Sequence, residues 1–200
     1  MNELQRYRNL AITIVIGLAV VSGCRRSRPA DNYNYNASPR PSASPTINQT
    51  ATPYPDTKID RKTFSLALRA IWKEDTSGEA YNPETFVMFQ RGTSTNCLFE
   101  VMIGKKSAGA SVDGLLQSQR DGWLKIVSEP KVTEFQEWGN YTGKGVEIEG
   151  KVQGTFLQQH RIFVFSKGDT VCLVIESAPP KDFFLYSGDF KTIRNSFKLK

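Results

Sequence analysis

The chain is poor in the residues that usually carry chemistry. One histidine, His160, stands among 200 residues. A serine-type triad needs an imidazole oriented beside a nucleophile, and no reactive serine motif accompanies it. Gln158-Gln159-His160-Arg161 reads as a polar strand stretch, with His160 in a structural role. Glycines cluster at 104–109 and 139–150, yet neither cluster ends in the Gly-Lys-Ser/Thr of a phosphate loop. Turns and loose connections account for both. No metal or nucleotide motif is present, so no cofactor is implied. One-signed charge is also missing. The formal net charge is +6, but from Lys58 onward 20 basic residues face 17 acidic ones without any pattern. That excludes the basic stripe of a nucleic-acid interface. Glu147 and Glu149 would share a strand face, where local balance with Lys144 and Lys151 is the simplest reading.

Also lacking is an apolar run of the roughly 20 residues that a membrane-crossing helix needs. Leu10–Val21 is apolar but has only 12 residues, and Arg6 and Arg8 precede it. This is the pattern of a signal peptide. The run ends in Val21-Ser22-Gly23-Cys24, which resembles the lipobox of bacterial lipoproteins. The resemblance implies that Cys24 takes a diacylglycerol group and that a peptidase cuts before it. Ser22 and Gly23 are the small residues its cleft accepts. One acyl chain binds a membrane marginally, at about 0.8 kcal/mol per buried methylene, and two or three chains hold durably. Arg25, Arg26 and Arg28 follow. Basic residues tend to stay cytoplasmic, but the short run and the well-placed cysteine outweigh them. The expected location is the cell envelope, lipid-anchored on the extracytoplasmic side. Arginine rather than aspartate after Cys24 is similar to outer-membrane sorting in enteric bacteria.

Three regions follow: a leader (1–23), a linker (24–57) and a domain (58–200). Six of the ten prolines lie between Pro29 and Pro55, among Ser, Thr and Asn. Such a segment cannot bury enough apolar area to offset its ordering entropy. A disordered spacer is expected, reaching about 30 Å as a coil and about 100 Å if extended.

In the domain, apolar runs alternate with turn signals. Phe64–Leu68 alternates with period two, as a half-buried strand does. Strands are predicted at 86–89, 97–103, 132–138, 141–152, 156–166 and 170–177. A helix capped by Ser111 runs to about Val127, with Val112, Leu115, Leu116, Trp123 and Ile126 on one face. Pro179-Pro180 stops the last strand. A helix then runs from Lys181 to Ser196, with Phe184, Phe190, Ile193 and Phe197 as anchors.

This order of elements, from Phe64…Trp72 to the closing Ile193-Arg194-Asn195-Ser196-Phe197, resembles the PsbP/Mog family. The family's usual proline before the first tryptophan is absent, and Ala70-Ile71 stand there. The resemblance implies an α/β/α sandwich around a central antiparallel sheet. It also implies a protein-binding or assembly role rather than an enzyme. A small-molecule or lipid-binding module is the alternative, with a pocket lined by Trp123 or Phe184. An unrecognised hydrolase would need His160 beside a carboxylate and a hydroxyl. Expected partners are a membrane, through the anchor, and an unidentified protein. Cys97 and Cys172 are the candidate disulfide in an oxidising compartment, subject to Cα atoms within about 7 Å. Trp138, beside the Gly139-Asn140 turn, is the candidate exposed partner contact.

Overall fold

The computed structural model describes residues 56–92 and 96–200. Cys24, the leader and most of the linker lie outside the described residues. The chain runs β1 (Asp56–Asp60), β2 (Phe64–Arg69), β3 (Trp72–Asp75), β4 (Phe86–Arg91), β5 (Leu98–Lys105), then α1 (Val112–Ile126). It continues through β6 (Val127–Trp138), β7 (Tyr141–Val152), β8 (Phe156–Lys167) and β9 (Thr170–Ala178). It closes with α2 (Pro180–Leu185), α3 (Ser187–Ser196) and β10 (Lys198–Leu199). All seven strands expected from periodicity form. Three short ones were not expected: β1, β3 and β10. β1 begins at Asp56, before the boundary predicted at Lys58.

Local chemistry explains the element boundaries. Ser111 Oγ accepts the Gly114 N–H at 3.0 Å and caps α1 as predicted. The Gly139 turn between β6 and β7 sits at φ +59°, where a side chain is strained. Gly145 is not a loose connection: a Cβ there would lie 2.6 Å from the Phe135 ring. It is glycine because β6 lays that ring across β7, stacked on Phe163 at 5.7 Å. Residues 181–196 are two helices rather than one, joined at Tyr186.

The central sheet is wholly antiparallel, in the order β3-β4-β5-β9-β8-β7-β6. β9 is the pivot, because it completes the meander from β6 and also pairs with β5. A second sheet, β1-β2-β10, packs with α2 and α3 on one face. That face buries Phe64, Leu66, Trp138, Phe163, Phe190 and Phe197. α1 covers the other face, over Ile148, Ile162 and Leu173, with Trp123 as its largest contribution. The result is an α/β/α sandwich with a small sheet added to one layer.

Candidate functional site

β6 is one of the two edge strands of the central sheet, and among the described residues it pairs on one side only, with β7. Its register breaks between Ser128 and Lys131 and again between Phe135 and Glu137. Between those bulges Lys131–Phe135 is a regular strand whose outer edge is free among the described residues, and Val132 there is 38% exposed. Bulges, Pro130 and the charges of Lys131, Glu134 and Glu137 limit indiscriminate edge pairing. Between β6, β7 and α1 lies an open groove of ≈ 360 Å³, lined by Leu116, Arg120, Glu134, Gln136, Lys144 and Val146. Arg120 reaches Glu134 across it at 3.4 Å, and Lys144 reaches Asp113 at 2.7 Å. Both ion pairs are exposed, so each contributes little and either can be exchanged for a partner's charge.

Under α1 the sheet carries a polar cluster. His160 on β8 and Ser177 on β9 are opposite in register and share a hydrogen bond, Oγ to Nδ1, at 2.6 Å. The Gln158 amide donates to Ser177 Oγ at 3.2 Å, which leaves the hydroxyl proton for Nδ1. The Trp123 indole stacks on the imidazole, with ring centroids 3.5 Å apart. His160 is 1% exposed, and burial lowers its pKa to about 3, so the ring stays neutral. Glu100 on β5 shares this face, and neither of its oxygens meets a protein donor. Burial alone raises its pKa to about 7. The histidine thus has its hydroxyl, and a carboxylate lies on the same face. All three are sealed from solvent, and the ring carries an indole where a substrate would have to sit.

The opposite face treats its carboxylates differently. Glu176 on β9 accepts the Trp138 indole N–H at 2.9 Å and Arg194 of α3 at 2.6 Å. Arg161 approaches at 3.7 Å and also pairs with Glu147 at 3.1 Å. Burial raises the Glu176 pKa, while Arg194, Arg161 and Trp138 oppose that shift. Asp189 of α3 lies between Arg91 of β4 at 2.7 Å and Arg69 of β2 at 3.1 Å. Arg91 also stacks over the Tyr186 ring, 3.6 Å from its centroid. These two carboxylates fasten α3 to both sheets. Their sequence signal was weak, because an isolated Glu or Asp looks like a surface residue.

Several sequence expectations need correction. Trp138 is not an exposed contact but a core residue, 2% exposed, stacked on Phe99 and bonded to Glu176. Its position beside a turn misled, because the ring packs against Phe163 and Phe197. Cys97 and Cys172 are free and buried, not bridged. Their strands are neighbours, but Cys172 faces Ile103, at the far end of β5 from Cys97. The offset of six residues between Cys97 and Ile103 separates the two cysteines by about 20 Å, far beyond bridging range. Burial pushes the Cys97 thiol up to about 12 and that of Cys172 higher still. Phe184 does not anchor its helix: it is 82% exposed, and Phe183 packs on Phe190 instead. Trp123 fills core rather than lining an apolar cavity. Glu147 and Glu149 balance Arg161 and Lys131, not Lys144 and Lys151.

No protein-family model matches the chain, and no curated protein matches it. Solved structures do. The solution structure of cyanobacterial PsbP (CyanoP) from Synechocystis sp. PCC 6803 aligns with a TM-score of 0.52 at 11% identity, covering 74% of this chain and 94% of that one. The Saccharomyces cerevisiae Ran-binding protein Mog1p aligns at 0.47 and 10%, covering 73% and 96%. LpqN of Mycobacterium tuberculosis, involved in cell envelope biogenesis, aligns at 0.44 and 11%, covering 73% and 91%. At such identities the likeness concerns architecture alone: this domain has the PsbP/Mog1 fold, as the order of its elements implied.

Proposed function

We propose that the chain is an extracytoplasmic lipoprotein, cut before Cys24 and lipidated there, whose domain binds a protein partner without catalysis. Residues 24–55 serve as the spacer. One observation carries the binding reading: the regular free edge at Lys131–Phe135, beside the α1 groove. An extended segment of a partner adds to that edge by main-chain hydrogen bonds and places alternate side chains toward the groove. The exchangeable charges of Arg120 and Lys144 favour a segment bearing carboxylates. The sealing of His160, Cys97 and Cys172 supports binding over chemistry, since none can meet a substrate in solution.

A photocrosslinker at Val132 in the membrane-bound full chain tests this. The expected result is one crosslinked protein, captured also by a crosslinker at Gln136, with the Gln136 crosslink lost when Val132 is replaced by proline. The absence of any crosslink from Val132 and from Gln136 overturns the binding site. Metabolic labelling with palmitate tests the anchor separately: label is expected on the chain and absent from C24S.

A further inference from the structure

The described surface shows four large exposed apolar side chains, and three of them gather at one pole. Phe184 is 82% exposed, Leu185 58% and Leu157 45%. α2 carries the first two and packs on β8 and β9, where β9 ends. Leu157 lies at the start of β8, just beyond the Gln159–Ala178 pair that closes the β8–β9 ladder. Lys181 is exposed in the same helix.

The chain enters the domain at this same pole. Asp56 pairs with Arg69, and Arg69 bonds Asp189 in the first turn of α3, directly after α2. One strand pair and one ion pair therefore separate the end of the spacer from Leu185. The other pole is polar: it presents Lys105, Lys106 and Lys167, with Asp169 between β8 and β9. Exposed phenylalanine costs free energy in water and gains it in an interface that is apolar below and wet above. A flexible tether that ends beside such a patch holds the patch within reach of that membrane at high effective concentration, and the apolar side chains then set the orientation.

We propose that Phe184, Leu185 and Leu157 form a lipid-facing wedge that seats the domain on the bilayer holding its anchor. This rests on the lipoprotein reading for its setting, but its test does not. The chain from Cys24 to Lys200 is coupled through Cys24 to maleimide lipid in phosphatidylethanolamine–phosphatidylglycerol vesicles. Cys97 and Cys172 are buried and do not compete. F184W then adds an indole at the wedge, while native Trp72, Trp123 and Trp138 stay in the core. Replacing the lipid by its dibrominated form should quench the added emission at least twofold. The same indole placed by D169W at the other pole should keep its emission. L185W, read the same way, covers the case in which F184W folds poorly. Equal quenching at the two poles, or none at 184 and 185, overturns the wedge. So does an indole at 184 that lipid leaves untouched and an identified protein partner covers. Failure of palmitate labelling in cells would remove the natural anchor and leave the vesicle result standing, so the two readings fail separately.

Discussion

Glu100 and Glu176 occupy adjacent central strands, on opposite faces of one sheet, and neither touches water. Toward β2 and α3, Glu176 has two arginines and an indole N–H. Toward α1, Glu100 has none of these, and it keeps its proton up to about pH 7. The first carboxylate is a fastening: remove it and Arg194 loses its counter-charge, while Arg161 is left with Glu147 alone. The second is a liability that the fold tolerates by holding it neutral. Burial alone therefore does not say what a charged residue contributes. The groups across from it do.

The sharpest way to break this contrast is to delete each carboxylate. E176A should destabilise the domain by about 3 kcal/mol, because it leaves the part-buried Arg194 without a counter-charge and the Trp138 indole N–H without its acceptor. E100M should be neutral or stabilising by about 1–3 kcal/mol at pH 8. Urea unfolding of both variants checks the pair, and similar losses would erase the distinction.

Acidity gives the next largest effect. The Glu100 pKa is raised from 4.5 to about 7 in the folded state. The folded protein then binds more protons than the unfolded chain between those values, so this group costs stability as pH rises through that window. The His160 pKa is lowered from 6.5 to about 3. The unfolded chain binds the extra proton here, so this group costs stability as pH falls from 6.5 toward 3. Each is worth on the order of 3 kcal/mol or more over its full window. Between pH 4.5 and 6.5 the two slopes oppose. Unfolding free energies from pH 4 to 8 should be flat in that overlap for the native chain. E100Q should lose stability on acidification, and H160N should gain it.

Two smaller effects concern the arginine-rich face alone. F183A should cost about 1–2 kcal/mol, because the half-buried ring loses its packing on Phe190, while F184S should stay within about 0.5 kcal/mol. Thermal unfolding distinguishes them. Cys97 and Cys172 should resist a thiol reagent in folded C24S and react only in denaturant, counted by thiol titration with and without urea.

The helical segment at residues 180–196 shows where reading from sequence stopped. Its anchors Phe190, Ile193 and Phe197 were legible, because a helical period of 3.6 marks one face. Extending that face back to Phe184 failed, since the break at Tyr186 resets the phase and turns Phe183 inward. The candidate groove was not legible at all. It joins α1 to β6 and β7, and no local signal announces that a strand will be an edge.

By itself the sequence determined the alternation of its seven longer strands, the Ser111 cap and the order of elements that the PsbP/Mog1 fold requires. Those are properties of neighbours along the chain, decided by side-chain periodicity and turn chemistry within a few residues. Tertiary structure alone decided that β9 lies between β5 and β8, that Cys97 and Cys172 point into the core about 20 Å apart, and that Glu176 meets Arg194 while Glu100 meets no cation. Each depends on strand register between distant segments, and a shift of two residues would preserve every local pattern while exchanging every partner.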